Sequence, residues 1–368
     1  MSQNIVVTGD MILQEGRSGR TLDKDTLAIF GSADLRLGNL EGPVTTGGFP
    51  ADKAKAFRMP PESVELLQEY GFDVVTRANN HALDYGIRGL RDTTSILEYH
   101  GIGHCGAGET LAAATEPFRA EVGHLSVAIL SFCSALPSGY AATAERPGVA
   151  PIRIHQAYHV DGVQAEEQPG MAPYVFTWPE ERDLQRALTL VAAVREKADL
   201  VIVCIHWGVP PMWMAPFQGT LANYQQPLGR QIIDAGADLI VGHHAHTLHG
   251  IEVYKGRPIL YSVGNFLYQK ARLEYSPESY RPAPLSPRDV RRPTELMESA
   301  VFNVALHEGK ISGITMYPIM IDGNGLARRA NFDAEQRIID RVQDHSALIA
   351  PDGPMVDAHG HLDVDPTW

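Results

Sequence analysis

The 368-residue chain is short of cysteine, of positive charge and of long apolar runs, and each shortage excludes something. Cys105, Cys133 and Cys204 are odd in number and widely spaced, which argues against a disulfide framework and suits a reducing compartment. Lys and Arg number 31 against 44 Asp and Glu, a formal charge of −13. That balance lacks the basic stripe that displaces counterions from phosphate, so nucleic acid is excluded as a partner and anionic lipid is disfavoured. No window approaches the roughly 20 apolar residues of a membrane span. Met1 to Asn4 lead into Ile5-Val6-Val7 without the basic start and apolar stretch of a signal peptide. The expectation is a cytoplasmic protein with no membrane contact, able to form homo-oligomers. What the chain has in excess is histidine, 15 residues of it, several in tight clusters.

A 44% hydrophobic and 20% charged composition is that of a globular protein. Short apolar runs read as buried strands: Ile5–Thr8, Leu35–Leu37, Val74–Thr76, Val127–Phe132, Leu200–Ile205, Leu239–Val241 and Ile259–Val263. Between them Pro61–Tyr70, Arg88–His100, Pro179–Lys197 and Leu221–Ala235 carry helical spacing. This alternation predicts an α/β fold, a sheet covered by helices on its faces. Residues 1–330 read as one domain. Three irregular inserts, Ser134–Trp178, Val209–Gly219 and Tyr275–Thr294, break the rhythm, and 331–368 reads as a C-terminal extension.

Polar clusters sit at the carboxyl ends of the predicted strands, where open α/β sheets place their ligand crevice. Asp10 follows the first strand. Asn39 and Glu41 follow the second, Asn79, Asn80 and His81 the third, His206 ends a fourth, and His243, His244 and His246 follow a fifth. Bridging carboxylates, an amide oxygen and neutral imidazoles are the donor types of a two-metal centre. Two divalent cations against Asp10 and Glu41 would leave a surplus of about two positive charges, which favours hydroxide and an anionic substrate group.

The strings Gly9-Asp10, Asn39-Leu40-Glu41-Gly42, Ala78-Asn79-Asn80-His81-Ala82-Leu83-Asp84-Tyr85-Gly86, His206-Trp207-Gly208, Gly242-His243-His244-Ala245-His246 and Tyr261-Ser262-Val263-Gly264-Asn265-Phe266 resemble the CapA (poly-γ-glutamate capsule biosynthesis) family, relatives of the calcineurin-like metallophosphoesterases. The resemblance implies a four-layer α/β/β/α sandwich with two divalent metal ions, manganese, zinc or iron, at one edge. It implies that Asp10 and His246 hold one metal, that Asn80, His206 and His244 hold the second, and that Glu41 bridges. His81 then matches the family's active-site histidine, a general acid or base. Three positions depart from the phosphoesterase pattern: Ile12 replaces a histidine, Glu41 an aspartate, and Ala82 the acid that follows the catalytic histidine.

Some assignments stay open at this level. His243 competes with His244 as a ligand, and Asn39 is a ligand or a turn former. Asp84 orients His81 or serves the next helix as its N-terminal acid. Lys53, Lys55 and Arg58 are candidates for a substrate anion, Trp213 for a pocket wall and His249 for a supporting role. Asp357-Ala358-His359-Gly360-His361 looks like a metal motif but reads better as a flexible tail. The function expected is a metal-dependent hydrolase acting on an amide or peptide bond near a carboxylate, with an anionic small molecule or peptide as substrate and His81 or His206 moving the proton. Peptide epimerisation at the same site, phosphoester hydrolysis and a non-catalytic role in capsule assembly are the alternatives.

Overall fold

The apolar runs become strands buried on both faces, which is why they show no polar alternation. Along Leu200–His206, Val201, Val203 and Ile205 face one core while Ile202 and Cys204 face another. Along Gln3–Ile12, Val6 points one way and Ile5 and Val7 the other. The computed structural model describes residues 3–14, 21–53, 55–167, 173–208, 221–269 and 293–364.

Two large sheets carry the architecture. In the first, Gln3–Ile12 lies beside Leu35–Leu40, then Val74–Thr76 and Gly103–Cys105, all parallel. Its other side continues antiparallel through Glu298–His307, Lys310–Ile321 and Ala327–Arg329. In the second, Leu125–Cys133, Leu200–His206, Leu239–His243 and Arg257–Leu260 run parallel, edged by the antiparallel strands Phe118–Val122 and Ile251–Tyr254. Residues from both sheets fill one core between them. Helices Glu181–Arg195 and Gln225–Asp234 cover the outer face of the second sheet, and Lys24–Gly31 and Val64–Tyr70 that of the first. The result is the expected α/β/β/α sandwich. Among the described residues no helix is long and apolar enough to cross a membrane.

Two expectations change. The strand expected over Ile259–Val263 stops at Leu260, and the chain then crosses to the first sheet, where Asn265–Tyr268 pairs in parallel with Gln3–Ile12. The Trp207 indole N–H holds this crossing by donating to the Tyr261 carbonyl at 2.8 Å. The residues read as an extension with a loose tail are packed instead. Phe332–Ile349 is a helix that buries Ile338, Ile339 and Val342 in the core between the sheets. Glu298, fully buried, is its anchor: Arg337 donates to it at 2.7 Å, and Arg341 also pairs with it. His361–Asp363 adds an antiparallel strand to Lys310–Ile321. The inter-sheet core is open at that edge, and this helix supplies the apolar surface that closes it.

Of the inserts, 209–219 lies outside the described residues, Trp213 with it, as does 275–292. Within the first, Ile154–His159 and Tyr174–Pro179 pair as an antiparallel ribbon.

Replacing Ile338 with Ala should destabilise the protein by about 2–5 kcal/mol, the range for emptying a sealed aliphatic site. Urea unfolding would measure it; a loss under about 0.5 kcal/mol would mean the segment is not part of the core.

Candidate metal centre

The parallel strands of both sheets end at the same edge of the sandwich, and that edge gathers the polar clusters. Asp10 sits in register with Asn39 on one neighbour and Asn265 on the other, with a register shift beside it in each pairing. Such irregularities re-aim side chains at strand ends. His206 sits opposite His243. The approach is close enough to demand glycine twice: a Cβ on Gly9 would lie 2.1 Å from the Gly264 carbonyl oxygen, and one on Gly242 2.1 Å from that of Tyr261. The backbone then turns sharply, with His244 at φ 92° and His246 at φ 58°. Two non-glycine residues in this region within three positions are a local cost that clusters at functional sites. The small Ala245 lies between them.

The side chains converge. One group that can hold an ion is Asp10, Glu41 and His246, and another is Glu41, His206 and His244, so that Glu41 is common to both. Asn80 joins the second, its Oδ1 2.8 Å from His206 Nε2, while His244 Nδ1 is 3.0 Å from the same nitrogen. Neither group includes His359 or His361. His243 sits on the other flank of Asp10, its Nδ1 3.1 Å from Oδ1. Asn39 is a holder: its amide donates to Asp10 Oδ1 at 2.8 Å and its own oxygen accepts from Thr76 and Asn79.

Glu41 decides what this edge is for. It is fully buried, and neither carboxylate oxygen has a hydrogen-bond partner among the described residues. The nitrogens around it are His206 Nε2 at 3.5 Å, His246 Nδ1 at 3.7 Å and His81 Nε2 at 3.9 Å. Burial, and then the charge of Asp10, push Glu41 well above the usual carboxylate range. Burial opposes ionisation of Asp10 too, but the His243 contact and the other imidazoles outweigh it and hold Asp10 low. An acceptor-rich, desolvated cluster of this kind is costly unless a cation sits in it. The donors are carboxylate, amide oxygen and imidazole with no thiolate, and they fit divalent manganese, zinc or iron.

Beside the cluster, His81 Nδ1 lies 2.6 Å from Asp84 Oδ2. Asp84 is saturated: it also accepts from the Lys53 ammonium at 2.7 Å, the Phe57 amide at 2.6 Å and the Tyr140 hydroxyl at 2.9 Å. Burial opposes its ionisation, and His81 and Lys53 reverse that, holding it below its ordinary value. A carboxylate only accepts, so the proton between the two is on Nδ1, and Nε2 faces the cluster. Burial pulls His81 down to about 4 against the pull of Asp84, leaving a neutral imidazole. The Phe57 ring lies against it, centroids 4.1 Å apart. The acid missing at Ala82 is thus supplied by Asp84, three residues after His81 in the turn that precedes the helix Gly86–Tyr99. Burial and the neighbouring His244 keep His206 neutral in the same way.

A cavity of about 740 Å³ opens over the centre, with Asn80 and His244 in its wall. The candidate substrate residues fare unevenly. Lys53 lines the cavity, but its ammonium is engaged by Asp84 and by the Asn80 carbonyl at 2.7 Å. Arg58 stacks over Tyr85, 4.9 Å from the ring centroid. His249 is buried, which pulls it down to about 3, and it does not wall the cavity. Instead the wall is built by Arg153, His155 and Arg182, which the sequence reading passed over because they lie in or next to the irregular insert. Arg153 grips Asp183 through two nitrogens, at 2.6 and 2.7 Å, and Arg186 joins at 2.8 Å. Ile12, at the position of the absent histidine, is buried in the strand pairing with Tyr268.

The profile of the family described as "Bacterial capsule synthesis protein PGA_cap" matches residues 4–270. The PGA biosynthesis protein CapA of Bacillus subtilis is 33% identical over 245 residues, covering 66% of this chain and 55% of that protein. The capsule biosynthesis protein CapA of Bacillus anthracis is 31% identical over 243 residues, 65% of this chain and 51% of its own. The chain therefore spans about half the length of these relatives. Among solved structures, a novel phosphatase of Mycoplasma pneumoniae aligns with TM-score 0.46 and 12% identity, over 87% of this chain and 94% of that one.

Asp183 offers a pH test of the cavity wall. Burial raises its pKa, but its bonds to Arg153 and Arg186 win and hold it below 3.8. The stability it contributes is therefore complete above pH 3.8 and is lost as pH falls through the lower folded-state value. Asp183→Asn should cost about 1–3 kcal/mol at pH 7. Denaturant unfolding as a function of pH should show the gap to wild type closing in acid; a gap independent of pH would refute the ion-pair role.

Proposed function

The chain belongs to the bacterial capsule synthesis protein family PGA_cap, and from that premise we propose that it is a metal-dependent hydrolase that cleaves an amide or peptide bond near a carboxylate. The observation that carries this reading is the buried Glu41 carboxylate, without a hydrogen-bond partner among the described residues and common to two ion-holding groups. In this reading Asp10 and His246 would hold one divalent ion and Asn80, His206 and His244 another, with Glu41 available to both. Divalent ions held there would supply a water acidified towards a pKa of roughly 7 and a polarising charge for a carbonyl.

The remaining work falls to the chain. His81 Nε2, which carries no proton in the neutral imidazole, would take one from the attacking water and pass it to the departing amine. Asp84 fixes the tautomer and direction of that imidazole, and Lys53 fixes Asp84. Lys53 is a positioning residue here, not the anion receptor the sequence suggested. The anionic end of the substrate has Arg182 on the cavity wall to meet it. The arrangement of His81 with Asp84 also supports proton transfer as such, so the chemistry must be read out directly.

Metal analysis after reconstitution with manganese, zinc or iron should find close to two ions per chain. His244→Ala should lower that content, while His81→Ala should spare it and reduce turnover by about 100-fold or more. Equal loss of metal in both variants would overturn these roles. Turnover of candidate peptides in deuterated water should add one water to the products; an unchanged mass apart from one deuterium would mean epimerisation instead.

A further inference from the structure

The exposed apolar side chains are unevenly distributed. Among the described residues, six of the twelve large ones fall between residues 158 and 178, in the segment that builds the ribbon of Ile154–His159 and Tyr174–Pro179. The pairing puts Trp178 opposite His155, Phe176 opposite Ala157 and Tyr174 opposite His159, and directly opposed residues share a face. That face carries three aromatics at 47%, 50% and 46% exposure for Trp178, Phe176 and Tyr174. The other face is packed only at its base, where Thr177 is buried and Ile154 packs on the core of the second sheet; farther out it carries Tyr158, 62% exposed. A monomer has no packing use for a row of aromatics turned to water, and patches of this kind mark contact surfaces.

Position says what the contact is for. His155 and Gln156 of the ribbon wall the same cavity as Asn80 and His244. The Trp178 ring lies over His155, centroids 5.7 Å apart, so the aromatic row begins at the cavity rim. From there Phe176 and Tyr174 continue outward at strand spacing, about 6.6–6.8 Å per step. Alternate side chains of an extended peptide have the same repeat. A peptide whose end lies in the cavity would leave it along this row. The ribbon tip carries Asp161, Glu166 and Glu167, which disfavours anionic lipid as the occupant.

We propose that the exposed Trp178–Phe176–Tyr174 face of the ribbon is a docking arm for an extended polypeptide substrate, holding apolar side chains outside the cavity while the end of the chain reaches the metal centre. The inference rests on the hydrolase reading for the purpose of the arm, but its binding can be measured separately. The arm acts by remote binding, so it lowers KM for long substrates and is invisible to short ones.

The test uses the full chain and fluorescein-labelled decapeptides ending in a free carboxylate. One peptide carries Phe at alternate positions, and a second carries the same residues with Phe spaced every third position. Fluorescence anisotropy should show the alternating peptide binding more tightly. Phe176→Ser combined with Trp178→Ser should weaken it by about tenfold or more, while Phe332→Ser, on the distant C-terminal helix, should not. Metal content and thermal melting should match wild type in both variants. Equal affinity for the two peptides, or no loss in the ribbon variant, would overturn the proposal. So would ribbon-dependent dimerisation in sedimentation velocity, or ribbon-dependent pelleting with phosphatidylcholine vesicles, if peptide binding were unaffected. Ribbon-dependent binding without cleavage would keep the arm and remove the hydrolase; cleavage with an unchanged KM in the ribbon variant would do the reverse.

Discussion

Two carboxylates buried in one place, Asp10 and Glu41, are the constraint around which this edge of the molecule is arranged. Desolvation and mutual repulsion both oppose their ionisation. The surroundings answer for Asp10, which has the Asn39 amide, the His244 backbone N–H at 3.1 Å and the imidazole of His243. They do not answer for Glu41, whose oxygens face imidazole nitrogens at distances too long for hydrogen bonds. A site that leaves a buried carboxylate in this condition is organised for a cation. The sharp turn through His244 and His246 has the same meaning, since backbone strain is tolerated where the geometry of ligands requires it.

The sandwich exists, in functional terms, to bring two strand edges together. Asp10, Asn39 and Glu41 come from one sheet, and His206, His243, His244 and His246 from the other. The crossing between Leu260 and Asn265 ties them: its Gly264 carbonyl accepts from the Asp10 amide at 3.0 Å, and its Tyr261 carbonyl receives Trp207. The glycines and Trp207 of the sequence motifs are therefore part of the frame, while the histidines and acids beside them are its cargo. The C-terminal helix, through Ile338 and its pairing with the buried Glu298, closes the flank of the same inter-sheet core.

Around the centre there is a gradient from rigid to exposed. His81, Asp84, Lys53 and Tyr140 form a connected set of hydrogen bonds centred on Asp84, with His81 Nε2 left facing the cluster. Such a set holds an imidazole in one orientation. The cavity wall is looser, built from arginines, one of them locked to Asp183, and from the base of the ribbon. Beyond it the aromatic face is open to water. Chemistry sits on strand ends, and contact with a larger partner falls to an insert, the usual division between scaffold and loop.

Strand ends were legible from local pattern because a strand buried on both faces must be apolar and its polar successor stands out. That pattern singled out Asp10, Asn39, Glu41, Asn79, Asn80, His81, His206, His243, His244 and His246; the family resemblance narrowed them to Asp10, Glu41, Asn80, His81, His206, His244 and His246, whose side chains the structure brings close together. What no local pattern carries is which side chains meet across long separations. Asp84 was undecided between two roles until its bonds to His81 and Lys53 were in view, and the engagement of Lys53 by Asp84 was not foreseen because an exposed lysine and an engaged one look alike in a sequence. Arg153 and Arg182 were missed for the converse reason: nothing periodic marks an insert. The C-terminal segment looked dispensable because its apolar face has meaning only against a core assembled from strands of both sheets. Composition and short-range periodicity determined the fold class and the chemical character of the site, since both follow from local burial. Partnership, orientation and the shape of the pocket belong to the tertiary structure alone, because they depend on contacts that chain order does not encode locally.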